Sequence, residues 1–285
     1  MKIDEIIAAI DTLKPVSYVG DKIMEILKNP NSSVADLVEI IKFDSSMTAN
    51  LLRICNSSYF GLQKEIVSIK QAVALLGVEK VAGLIMMGNS AKNFEGTQPG
   101  YDLEDSELWR YSVSSALIAQ EIAEAKGLPD ISLIFTSALL KDIGKAVLHT
   151  YVESAQDEIK AAVENKGMTF VEAEHAVIGI DHTELGAKIA EHWNFSPAMV
   201  DLIRNHHTPQ TSAFDARNAA VVYLADAICM MIGIGVGSDG LAYRYHQDVV
   251  DLLNFTEIDL QQTIANFREK IKEVEELVQV SKGEA

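Results

Sequence analysis

Five side chains stand out for the chemistry they could do. Asp142, His182, His206, His207 and Asp226 each interrupt a helix-like apolar pattern, where a carboxylate or an imidazole needs a reason to be present. A carboxylate, three imidazoles and a second carboxylate spread over four or five helices are the donor set of a metal site in a bundle core, because hard and borderline cations take oxygen and nitrogen ligands. The same residues also suit a second reading, as helix caps and hydrogen-bonded contacts between helices. On a helix His206 and His207 would project about 100° apart, so one is expected to face the interior and the other an edge or groove.

The elements that must position these groups are helices. Apolar residues recur at three and four positions nearly everywhere and almost never alternate, so the fold class is all-α. Asn29-Pro30 ends one segment, Ser33 to Asp36 resembles a capping box for a helix running to about Phe43, and Asp44 caps the next. Ser68 precedes a stripe from Ile69 to Leu76 that stops at Gly77, and a further helix follows through Val81, Leu84 and Ile85. The polar stretch 96–105, with Gly96, Pro99 and Gly100, has the composition of a linker, which divides the chain into an N-terminal helical part, 1–95, and a bundle, 106–285. In the bundle a helix runs from about Ser106 to Lys126 and closes at Gly127, and Pro129 opens another. Thr169 to Glu172 reads as a capping box and Ser196-Pro197 as a cap followed by a first-turn proline. Ile258 to Val280 reads as one amphipathic helix that packs on the bundle or serves a partner, including a second copy of the chain.

Composition narrows the function. Among 285 residues, 24 are basic and 41 acidic, a formal charge of −17 that repels phosphate backbones and anionic lipid headgroups, so neither nucleic acid nor a membrane surface is an expected partner. Cys55 and Cys229 both sit in apolar helical patterns, as buried free thiols do. Acids at Asp4 and Glu5 do not suit a secretory signal, and a cytoplasmic location is expected. Ala219 to Gly237 is apolar, but Asp226 in its middle would cost about 2.5 to 3.5 kcal/mol on membrane insertion, which favours a buried central helix.

The run Ile40-Ile41-Lys42-Phe43-Asp44 through Asn50-Leu51-Leu52 to Cys55-Asn56-Ser57-Ser58-Tyr59-Phe60-Gly61 resembles the signature of HDOD domains. The resemblance continues through Ile69 to Gly77, Leu108 to Ser112, Leu139 to Lys145, His182 to Gly186, Trp193, Pro197 and His206-His207. It implies kinship with HD-type metal-dependent phosphohydrolases, including HD-GYP enzymes that cleave cyclic di-GMP. Carried over by position, Tyr111 stands where the enzymes have their first His, and Lys141 replaces the His of the His-Asp pair, leaving Asp142. Asp226 matches the last metal-binding Asp, and His182, His206 and His207 match ligands of a second ion. A protonated lysine cannot ligate and a neutral phenol is a poor ligand, so the first metal position is expected to be lost, with Lys141 able to reach Asp226 across the bundle instead.

The resemblance therefore implies a bacterial, non-catalytic signalling module with no required cofactor, acting on other signalling proteins or through a small ligand. The alternative is an atypical metal-dependent phosphohydrolase that holds one divalent ion on the remaining cluster and acts on a nucleotide or cyclic dinucleotide. A nucleotide sensor lies between them and would need a local basic patch, for instance Arg204 near His206 and Lys141. Asn56, Tyr59 and Phe60 form a polar and aromatic cluster that builds a structural turn or offers a partner or interdomain surface. No receiver, kinase or DNA-binding segment is recognised in the sequence, so input and output are expected from separate molecules.

Overall fold

The computed structural model describes residues 3–13, 23, 34–41, 45–62, 65–240, 244 and 246–282. Among them no strand forms, and an isolated bridge between Gln98 and Leu103 is the nearest approach to one. The helices are α1 (Ile3–Ala8), α2 (Val34–Ile41), α3 (Ser45–Asn56), α4 (Ile69–Leu76), α5 (Val78–Ser90) and α6 (Glu107–Ala125). They continue as α7 (Ile131–Leu140), α8 (Lys145–Ser154), α9 (Gln156–Lys166), α10 (Phe170–Ile178) and α11 (His182–His192). The last are α12 (Pro197–Arg204), α13 (Ala216–Met231), α14 (Gln247–Leu252), α15 (Glu257–Glu269) and α16 (Ile271–Lys282). The stops and caps expected at Asn29-Pro30, Ser33 and Asp44 lie outside the described residues.

The chain forms two compact units, one of Met1–Lys14 and Asn93–Ile264, the other of Pro15–Lys92 and Ala265–Ala285. In the second, α3, α4 and α5 pack on one another and α16 lies on α3, around Leu51, Ile54, Val73, Ile85 and Leu277. Ser68 caps α4 by accepting from the Gln71 N–H, and Gly77 ends it at φ +86°. In the first unit α6, α7 and α13 pack in mutual contact, α12 joins α7, and α11 lies on α12. Most of α13 is buried, including Ala219 to Asp226, Ile228 and Cys229, as expected for a central helix. No described helix is long and apolar enough to cross a membrane. Both cysteines are buried and unpaired.

The sequence reading needs correction at three places. Stretch 96–105 is packed rather than a linker: Tyr101 is fully buried, and Pro99–Tyr101 is a turn pressed so closely on α8 that a Cβ on Gly100 would lie 2.2 Å from the His149 carbonyl oxygen. Its Gly and Pro serve close approach, which composition alone cannot distinguish from looseness. Pro129 stands ahead of the cap residue Asp130 instead of inside α7. The single helix expected over Ile258 to Val280 is broken at Lys270, between α15 and α16, and α16 packs on α3.

Candidate functional site

All five expected polar residues, with Tyr111 and Lys141, meet inside the first unit. Asp142 lies in the turn that closes α7, Lys141 caps that helix and Lys145 opens α8. This turn fits because Gly144 has no side chain: a Cβ there would sit 2.0 Å from the His182 carbonyl oxygen. His182 is the first residue of α11, whose start is fixed by Asp181 accepting from the Thr183 and Glu184 N–H groups. Asp226 projects from mid-α13 and Tyr111 from α6.

His206 faces the interior and His207 reaches the edge of a cavity, but the two are not separated by a helical angle as expected. α12 ends at Arg204, so both fall in the following turn, where backbone geometry no longer separates neighbours by a helical angle. Both side chains are buried and their ring centroids lie 4.1 Å apart.

The carboxylates are held by ammonium groups. Lys141 Nζ is fully buried, hydrogen-bonds Asp142 Oδ2 and reaches Asp226 Oδ1 at 2.5 Å, so neighbouring residues 141 and 142 do touch. The Tyr111 hydroxyl donates to the same Asp226 Oδ1 at 2.6 Å, and its ring lies 4.3 Å from Lys141 Nζ. Lys145 Nζ bridges Asp142 Oδ1 at 3.0 Å and Asp239 Oδ2 at 2.7 Å. Burial works against the charge on Asp142, but Lys141 and then Lys145 hold its carboxyl well below the usual range. Burial likewise disfavours both ammonium groups, and Asp142, with Asp226 beside Lys141 and Asp239 beside Lys145, raises them above the ordinary lysine value.

The imidazoles are oriented differently. His182 Nδ1 lies 2.7 Å from Glu174 Oε2, and the Tyr101 hydroxyl donates to Glu174 Oε1 at 2.5 Å. His206 Nδ1 is 2.7 Å from the Ile203 carbonyl oxygen, and His207 Nδ1 is 3.6 Å from Asp226 Oδ2. With each Nδ1 directed to an acceptor, the Nε2 atoms are the ones presented inward, as in metal-binding histidines. His182 Nε2 lies 3.2 Å from His207 Nε2 and 3.8 Å from Asp142 Oδ1, and His206 Nε2 lies 3.9 Å from that oxygen. Tetrahedral ligands at bond lengths of about 2.0 to 2.1 Å stand about 3.4 Å apart, so the set is sized for one ion. His206 Nε2 is buried without a hydrogen-bond partner, which also fits a cation. The Lys145 ammonium beside Asp142 Oδ1 opposes one.

Burial pushes His206 down to about 4 and takes His207 well below its ordinary value, the second aided by His206 and His182. Burial also works against an imidazolium at His182, but Glu174 outweighs it and raises the group.

Sequence reasoning missed Lys145, Asp239, Glu174 and Tyr101. A signal existed for Glu174, which lies four residues after Phe170 and four before Ile178 on the buried stripe of α10, where an acid is out of place. Arg204 does not supply a basic patch, since its guanidinium is exposed and pairs with Glu191 at 2.7 Å. Asn56 pins a turn in the second unit, accepting from the Ile66 N–H at 2.7 Å and donating to its carbonyl at 2.8 Å. Tyr59 and Phe60 lie beside it, half-buried and edge to face.

A family model described as the HDOD domain matches residues 13–209. In fold the chain is similar to the crystal structure of an HDOD domain protein of unknown function from Geobacter sulfurreducens, 21% identical with a TM-score of 0.73 and 99% of each chain covered. It is also similar to a protein from Marinobacter aquaeolei VT8 provisionally named a signal transduction protein, at 20% identity and TM-score 0.76 over 95% of this chain and 60% of that one. A protein from Shewanella amazonensis SB2B provisionally named a phosphohydrolase is 21% identical, with a TM-score of 0.71 over 97% of each chain. At these identities the likeness is one of fold. An uncharacterized protein of Treponema pallidum (strain Nichols) is 25% identical over 203 residues, and the chain spans 38% of that curated relative's length.

Proposed function

The chain belongs to the HDOD domain family, and from that premise we propose that it is a non-catalytic regulatory module of bacterial signalling, acting in the cytoplasm by binding a protein or a small ligand. The observation that carries this reading is the Lys141 ammonium seated between Asp142 and Asp226, with the Tyr111 hydroxyl on the same Asp226 oxygen. Two-metal hydrolysis needs paired cations to activate water and to stabilise the leaving oxygen. An ammonium neutralises the carboxylates those cations would use but offers no coordination position. The kinship with a protein provisionally named for signal transduction agrees with the same reading. Tyr59 and Phe60, beside the turn that Asn56 pins, are the corner we assign to a partner protein.

The convergent imidazoles favour a second reading, a one-metal phosphohydrolase. Asp142, His182, His206 and His207 would hold that ion, which would supply Lewis acidity when bound. Within it Glu174 would orient His182, and Asp226 would orient His207 while remaining paired to Lys141. Metal content by inductively coupled plasma mass spectrometry, beside phosphodiester turnover, separates the two. The regulatory reading expects no turnover in the parent and gain of a transition metal in Tyr111→His/Lys141→His. Turnover by the parent that vanishes together with its metal in Asp142→Ala/His182→Ala would replace it with the hydrolase reading.

A further inference from the structure

The first unit also holds a cavity of about 430 Å³ between α13 and the segment running through α14 into α15. Its walls are Leu224, Ile228, Met231, Val250, Phe255 and Leu260, and its buried end is His207 and Asp226. That volume lies within the roughly 300 to 1,000 Å³ of small-molecule sites, and a methionine wall adapts to the shape of an apolar guest. The outer wall is anchored, because the Tyr223 hydroxyl donates to the Arg244 carbonyl at 3.1 Å and accepts from the His246 N–H at 3.0 Å.

The buried charge at the inner end of the cavity and the guanidinium at its mouth are already matched. Asp226 faces the Lys141 ammonium and the Tyr111 hydroxyl, and the Arg244 guanidinium at the mouth is held 3.1 Å from Glu172. Glu257 is exposed at the rim, accepting from Gln261 at 3.0 Å. Inside the cavity, away from the rim, a charged guest would lose its hydration without gaining an unmatched partner, whereas an apolar guest loses nothing of that kind. We infer that this cavity binds an uncharged, predominantly apolar small molecule whose inner end reaches His207 and Asp226. Such a ligand would touch the edge of the buried ion cluster, which makes the cavity an input site for the regulatory module. The inference rests on that regulatory reading and names its ligand class.

The test titrates the full chain with N-phenyl-1-naphthylamine, an uncharged dye that brightens in apolar surroundings, and in parallel with anionic 8-anilinonaphthalene-1-sulfonate. Saturable binding of one neutral dye per chain is expected, about tenfold tighter than the anionic dye and displaced by 1-decanol more readily than by decanoate. Ala227→Trp, which fills the cavity, should weaken the neutral dye about tenfold. Met231→Glu should do the same from the mouth, where Met231 is 59% exposed and its replacement spares the core if Ala227→Trp does not fold. No saturable binding, equal affinity for the two dyes, or binding unchanged by Met231→Glu would overturn the inference. Metal content and phosphodiester turnover on the same preparation report on the regulatory reading separately.

Discussion

Replacing Lys141 by methionine removes the ammonium and keeps most of the volume. In the parent, Lys141 Nζ is fully buried, contacts Asp142, reaches Asp226 at 2.5 Å and lies over the Tyr111 ring at 4.3 Å. After the change Asp142 keeps Lys145 at 3.0 Å, while Asp226 keeps the Tyr111 hydroxyl at 2.6 Å and His207 at 3.6 Å. Removing one member of a buried ion pair costs about 3 to 5 kcal/mol, because the remaining charge stays desolvated. For a unit of this size that lowers the melting temperature by roughly 6 to 20 °C. The pH dependence has a definite sign. Asp142 is held below its unfolded value against the cost of burial, so its pairing stabilises the fold above about pH 3.9 and is lost as pH falls through the folded pKa. The deficit of Lys141→Met should therefore be widest near neutrality and shrink on acidification. Trp109 and Trp193 both lie in the first unit, so tryptophan fluorescence during urea unfolding reads the unit concerned. Lys141→Met/Asp226→Leu, which removes both partners, should recover much of the loss. A single-variant loss below about 1 kcal/mol, or a double variant no more stable than the single, would refute the reasoning.

Glu174→Gln should cost about 1.5 to 3 kcal/mol at pH 6, because it removes the charge that favours the His182 imidazolium. A raised His pKa stabilises fully below about 6.5 and is lost as pH rises through the folded value, so urea unfolding should show a smaller cost at pH 9, and a cost independent of pH would remove charge from the account. His206, pushed down to about 4 by burial, resists protonation in the fold but not when unfolded, so stability is lost from about pH 6.5 downward. His206→Asn should flatten that acid limb of the stability profile, and an unaltered limb would place the proton uptake elsewhere. Gly144→Ala should cost about 3 kcal/mol or more in the same unfolding assay, because its Cβ would meet the His182 carbonyl at 2.0 Å, and full stability would disprove that close approach.

Local information carried much of this protein. The three-to-four-residue apolar period fixes helices wherever one face is buried, and caps such as Ser68, Thr169 and Ser196 mark helix starts because their side chains bond nearby backbone N–H groups. The candidate site residues were legible as polar groups set in apolar helices. Their roles were not, because roles depend on distances between elements far apart in sequence. Only the tertiary structure decided that His206 and His207 share one site, since that follows from α12 stopping at Arg204. It alone supplied Glu174 and Tyr101 behind His182, and Lys145 between Asp142 and Asp239. The lysine at position 141 was visible as a lost ligand, but its occupation of the space between two carboxylates depends on the approach of α7 and α13. That approach follows from the packing of side chains around a common core, and no local stretch of sequence encodes it.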